Sequence, residues 1–129
     1  MLNQSTISTV TAGTRKTILV DELNSTAFSC KVTNTGISAD ADGKKIAKAG
    51  TPLTGDLTSR GTAFAKATTT SGVSNAVGIL LHDVDVTDGA KNAQVVVFGF
   101  IDLNKLESDV QALVTTEVKT ALRMIQFVK

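Results

Sequence analysis

The single histidine of the chain, His82, is followed at once by Asp83. That pairing invites acid–base chemistry, because imidazole titrates near neutral pH. A hydrolase built on it also needs a nucleophile. Ser71 and Ser74 lie nearby, but neither stands in the strand–turn–helix context that presents a nucleophilic serine. A strand-end histidine facing solvent or a neighbouring subunit is the simpler reading. Asp83, Asp85 and Asp88, with Gly89, raise the question of calcium. An EF-hand loop closes on a glutamate in its twelfth position, and counting from Asp83 that place holds Gln94. These acids therefore read as a solvated turn between strands. Asp40-Ala41-Asp42-Gly43, followed by Lys44 and Lys45, reads the same way. Cys30 has no partner for a disulfide and stands in an alternating segment, as a small buried hydrophobe would. One His and one Cys cannot build a zinc site, and Gly50, Gly55 and Gly61 fit no phosphate-binding loop. The residues predict no catalytic site, no metal and no cofactor. A small hydrolase or nucleotide-binding enzyme using His82, Asp83 and Asp85 is the alternative from another class.

The elements that must position these groups are mostly strands. Residues 76–81 and 93–101 form two short apolar runs rich in Val, Ile and Phe, separated by the acidic turn. Their length and branching favour strands, and their near-continuous apolarity predicts burial on both faces. Gly78 and Gly99 inside them predict a bulge or a close backbone approach. Residues 27–33 alternate apolar with polar and predict a half-buried strand. Residues 34–45 form a loop, 46–48 a short strand, and Pro52 ends that strand or marks a free edge. Residues 54–60 are a loop, 63–67 a strand, and 68–75 a Thr/Ser/Gly connection. After residue 101 the period changes. Asn104 and Glu107 resemble a capping box. Leu106, Val110, Leu113, Val114, Val118, Ala121 and Leu122 then follow at helical spacing, which predicts a core-facing stripe in preference to a partner-binding one. Thr115-Thr116 is where this region divides into two helices, if it divides. Residues 124–128 read as a closing strand.

At 129 residues the chain is the size of one domain, and no internal repeat or second domain is evident. Apolar residues make up 42% of it, with no Trp or Tyr and five Phe, so the predicted core is aliphatic. Thirteen basic and 12 acidic residues leave a net charge of +1, which argues against nucleic acid and membrane surfaces as partners. The lone cysteine fits a reducing compartment. No stretch approaches the ~18 apolar residues of a membrane span, and the amino terminus lacks signal-peptide character, so a soluble protein is expected. Residues 1–14 are rich in Ser and Thr and uncharged, and predict an arm that is mobile in isolation. Such an arm suits strand addition to another chain's sheet, against the plainer reading of a frayed terminus. The whole predicts an α+β, mainly β domain, barrel- or sandwich-like, with a C-terminal helical region.

Ala49-Gly50-Thr51-Pro52-Leu53, then Ala76-Val77-Gly78-Ile79-Leu80-Leu81 with Asp83-Val84-Asp85-Val86, then Ala93-Gln94-Val95-Val96-Val97 with Gly99-Phe100, resemble the head decoration proteins of lambda-like tailed phages. These are also called capsid stabilisation or head fibre proteins. The likeness spans roughly residues 46–106. It implies residues 1–15 as a flexible arm and residues 16–129 as one decoration domain. It also implies a homotrimer on the outer surface of the expanded phage head, cementing the major capsid protein, after assembly in the host cytoplasm. The arm residues it would use for the capsid are Thr11, Gly13, Thr14, Arg15 and Lys16. A tail or fibre subunit is the alternative within phage structure.

Overall fold

The computed structural model describes residues 17–129. The expected capsid-binding residues Thr11, Gly13, Thr14, Arg15 and Lys16 lie outside the described residues. What is described is a small mixed α+β domain, mainly β-stranded, with helices toward its C-terminal end. In chain order its strands are β1 (Thr26–Val32), β2 (Ile46–Ala47), β3 (Pro52–Thr54), β4 (Ala65–Lys66), β5 (Thr69–Thr70), β6 (Val73–Ser74), β7 (Gly78–Leu80), β8 (Val84–Asp85), β9 (Lys91–Asp102) and β10 (Ile125–Val128). Helices α1 (Ser108–Gln111) and α2 (Thr116–Ala121) lie between β9 and β10, and 3-10 turns occupy Glu22–Asn24 and Leu103–Lys105.

The two apolar runs become β7 and β9, and they pair antiparallel, Ile79 with Val96 and Leu80 with Val95. Successive strand residues point to opposite faces. Ile79 and Val96 accordingly join one core cluster with Ile18, Leu19, Ile101, Leu106, Val110, Val114, Val118, Leu122 and Ile125. Leu80 and Val95 join another with Cys30, Val32, Ala47, Leu53, Phe64 and Val86. The main sheet runs β1-β9-β7-β3-β4, with β10 also paired to β9. Phe64, just before β4, makes a parallel bridge to Val32, so the outermost strands meet at one point. There Phe64 N–H donates to Lys31 O (2.7 Å) and Thr33 N–H donates to Phe64 O (2.8 Å).

Both glycines in the runs are required by geometry. A Cβ on Gly78 would meet Val95 Cγ2 and, at 2.8 Å, the Val96 carbonyl oxygen. Gly99 has φ +141° and lies against Ser25, where a Cβ would come within 3.1 Å of the Ser25 side chain. Just before it, Ala27 pairs with Val96 but Thr26 pairs with Phe98, so Val97 is one residue extra. This bulge swaps the faces of β9: Val96 and Ile101 both reach the first cluster although five positions separate them.

Three expectations need correction. Pro52 neither ends a strand nor marks a free edge. It opens β3, between β7 and β4, where a strand's first position tolerates a missing N–H. Its carbonyl accepts from Ala67 N–H (2.9 Å). The Asn104–Glu107 capping box does not form. Asp102 caps the 3-10 turn by accepting from Asn104 N–H (2.9 Å), while Glu107 precedes α1 and its side chain makes no cap bond. Thr115 caps α2, accepting from Val118 N–H (3.3 Å), so the helical region divides at Thr115-Thr116. Finally, β9 is buried on both faces only in its middle, because Phe98 and Phe100 stand on an open side, 41% and 42% exposed.

The connection 68–75 hides a hairpin. Ser71 and Gly72, at φ 54° and 78°, make the two-residue turn between β5 and β6, and a Ser-Gly pair is a known signal for it. The closing strand exists as β10, but it runs parallel to β9. Parallel neighbours need a long crossover, and here α1 and α2 supply it. Five of the seven stripe residues face the core, since Leu106, Val110, Val114, Val118 and Leu122 are buried, while Leu113 is half-buried and Ala121 is exposed. Among the described residues no helix is long and apolar enough to cross a membrane.

Candidate interaction surface

The open side of β9 is assembled by strand register. Antiparallel partners project to the same side, so Thr26, Phe28 and Phe98 share a face, and Phe100 follows two residues on. Leu19 bridges Ile101 and Val20 N–H donates to the Phe100 carbonyl (3.0 Å), which sets Val20 beside Phe100. On the other flank Gln126 pairs with Phe100, so Met124 and Val128 join the same side. Val20, Phe28, Phe98, Phe100, Met124 and Val128 are each exposed. Three of the five phenylalanines of a chain lacking Trp and Tyr thus face solvent together. Of the others, Phe64 is wholly buried and Phe127 packs against the first cluster. Singly scattered exposed apolar residues are ordinary, but here they are aligned on one side of the strand, which is the pattern that interaction surfaces carry. Arg60 borders it, its guanidinium 5.3 Å from the Phe28 ring centroid and donating to Ser29 O (3.0 Å).

The acid-bearing residues read from sequence are spent on local structure. Asp83 Oδ1 accepts from Ala49 N–H (2.7 Å), tying the acidic turn to the residues after β2. Asp85 accepts from the Thr87 amide (3.0 Å) and hydroxyl (2.6 Å), and these bonds hold its carboxyl below the usual carboxylate range. His82 is exposed just before β8 and Asp88 in the turn after it, so the stretch expected as one acidic turn instead carries a short strand, Val84–Asp85, paired with β2. Asp40 accepts from the amides of Asp42 and Lys44 (2.9 and 3.0 Å) to close the other acidic turn. Ser74 is buried and accepts from Ala76 N–H (3.2 Å), and Ser71 sits at a hairpin tip. The structure does not bring His82, Ser71 and Ser74 together as an acid–base set. Cys30 is buried, and burial pushes its thiol up against a smaller downward pull from Arg60. Among the described residues no three His, Cys, Asp or Glu side chains converge.

A groove of about 590 Å³ runs between the loop after β1 and α1, lined in part by Lys44, Lys48, Lys66, Asp83 and Asp109. Lys48 spans it, with Nζ 3.1 Å from Glu107 Oε1 and 2.9 Å from Asp109 Oδ2. The Lys48 bond holds the Asp109 carboxyl below its usual range, and the Asp109 and Glu107 bonds push the Lys48 amine up. This charge pattern ties the residue after β2 to the start of α1, with Lys48 matched by two carboxylates.

The aromatic side was missed in the sequence because runs of apolar residues in a strand read as core. The available signal was the residual excess: Phe98 and Phe100 bracket a glycine, which marks an irregular strand, and the extra residue Val97 just before them turns the strand's faces over. No protein-family model matches the chain, and no curated protein matches it.

Proposed function

We propose that the chain is a non-enzymatic assembly subunit of tailed-phage heads. Three copies sit on the outside of the expanded capsid and cement neighbouring major capsid subunits against the pressure of packaged DNA. Support comes from the resemblance over residues 46–106 and from the described domain's make-up. Its curled main sheet, pinned at Val32 and Phe64, is read as a small barrel. The observation that carries the reading is the alignment of Val20, Phe28, Phe98, Phe100 and Met124 on one open side. Such a side suits a protein whose working state is an assembly. A trimer engages several shell subunits at once, so after the first contact the others form at high effective concentration. Thr11, Gly13, Thr14, Arg15 and Lys16 are the arm residues assigned to the capsid. Affinity for the expanded shell alone would draw the shell toward that form by mass action.

Cosedimentation of the full chain with expanded, DNA-free heads tests this. The wild type is expected in the pellet, and a Phe98→Ser/Phe100→Ser variant in the supernatant. The free protein is expected to elute at about three times the 13.4 kDa chain mass. Purified particles that carry no copies on the head exterior, by labelled antibody, would overturn the reading.

A further inference from the structure

The open side carries a charge at each end. Arg60 stands at the Phe28 end, and Phe28 pairs with Val95 of β9. At the other end Asp102 follows Phe98 and Phe100 at alternate positions and pairs with Val128, so it shares their side. From Val95 to Asp102 is roughly 20–24 Å at ~3.4 Å per residue. Phe98 and Phe100 stand between these ends, flanked by the uncharged Thr26 and Gln126. Arg60 donates to a backbone carbonyl, Ser29 O, and Asp102 accepts from the Asn104 amide. Among the described residues the ion pairs are those of Lys48, and Arg60 and Asp102 make none. Phe28, Phe98 and Phe100, at 40%, 41% and 42% exposure, each leave about 80 Å² open, taking roughly 200 Å² for a whole Phe. Val20, Met124 and Val128 bring the patch to roughly 450 Å², within the ~300–600 Å² of the largest patches on single chains. A subunit contact of standard size covers about 800 Å² per partner, so the patch supplies more than half of one. Its polar ends match the rim of such a contact.

Opposite charges at the two ends of one apolar side are complementary to a second copy of the same side. We infer that this side is closed by other copies of the chain, set head to tail. The Arg60 guanidinium of one copy meets the Asp102 carboxylate of the next, and the Phe98 and Phe100 rings converge between them. Each copy thus supplies a charge that its neighbour lacks at that end. The ion pair fixes direction and register, while the apolar centre supplies affinity. A head-to-tail contact is heterologous and closes as a ring when its rotation allows. The number three comes from the head-decoration reading, and the inference rests on that reading for this number alone.

Light scattering of the full chain on a sizing column, with no shell present, tests this. The wild type is expected as a closed oligomer of fixed mass. Phe100→Asp and Met124→Asp, at exposed positions, should each give monomers with native circular dichroism. Arg60→Glu and Asp102→Arg should each raise the concentration at which the oligomer dissociates about tenfold or more, because like charges then meet. The double variant Arg60→Glu/Asp102→Arg should recover the wild-type value, since the pair re-forms with its signs exchanged. Asp102→Asn keeps an oxygen for the Asn104 amide, so it should dissociate more readily with the turn still capped. A wild type that is monomeric at every concentration overturns the inference. An oligomer that persists in Phe100→Asp, or a double variant no better than the singles, overturns it too. Two copies in place of three, with the same response to the variants, upholds the contact and counts against the number. Failure to sediment with heads counts against head decoration and leaves the contact standing.

Discussion

Gly78 shows how tightly the centre of the sheet is built. Its missing Cβ leaves room for the Val95 side chain and for the Val96 carbonyl, which is backbone and cannot swing away. Gly78→Ala should therefore cost about 1–3 kcal/mol, the range for overpacking a filled core. A urea titration should show a lower midpoint with the slope unchanged. A glycine within an apolar run pointed to a close approach in the sequence alone. Which atoms approach was not legible, because that depends on the register of β7 against β9. Cys30 was legible for a simpler reason: an alternating segment with a lone thiol leaves the core as its place. Asp40 and Asp85 bond to neighbours two to four residues away, which local sequence could suggest, whereas the partner of Asp83, the Ala49 amide, lies across the fold and was not legible.

Among the elements, the C-terminal helices separate what periodicity tells from what it omits. The buried stripe and the break at Thr115-Thr116 were legible, because spacing and β-branching act locally. The start was misread, since Asn and Glu three apart fit a cap by type while Asp102 held the better position. Thr115→Ala should lower stability by about 1 kcal/mol, the usual loss of an N-cap, and Asn104→Ala should be close to neutral. Thermal melts of the two variants check this contrast. The parallel pairing of β10 was not legible, because strand periodicity carries no partner information. The tether from Lys48 to α1 has a pH signature. The Asp109 carboxyl is lowered by Lys48, so its contribution is present above the ordinary carboxylate range and is lost as pH falls through its folded value. The Lys48 amine is raised, so its share is present below the ordinary lysine range and is lost as pH rises through its folded value. Stability measured against pH should differ between wild type and Lys48→Met within that window, and the two curves should converge on the acid side. High salt should shrink the difference, as for any exposed ion pair.

For the whole molecule, the main sheet is a partition as well as a scaffold. Ile79 and Val96 look one way into the helices, and Leu80 and Val95 look the other way toward Phe64. Damage on one side reaches the other chiefly through the backbone of β7 and β9. Phe64→Ala and Leu122→Ala, worth about 3–5 and 2–5 kcal/mol singly, should sum in the double variant to within about 0.5 kcal/mol. Phe64→Ala with Leu53→Ala, which share one cluster, should depart from the sum. Chemical denaturation of the three singles and two doubles decides it. If so, evolution can tune the helical half and the pinned half of this protein as separate modules, and lesions inherited on one side leave the other free to vary.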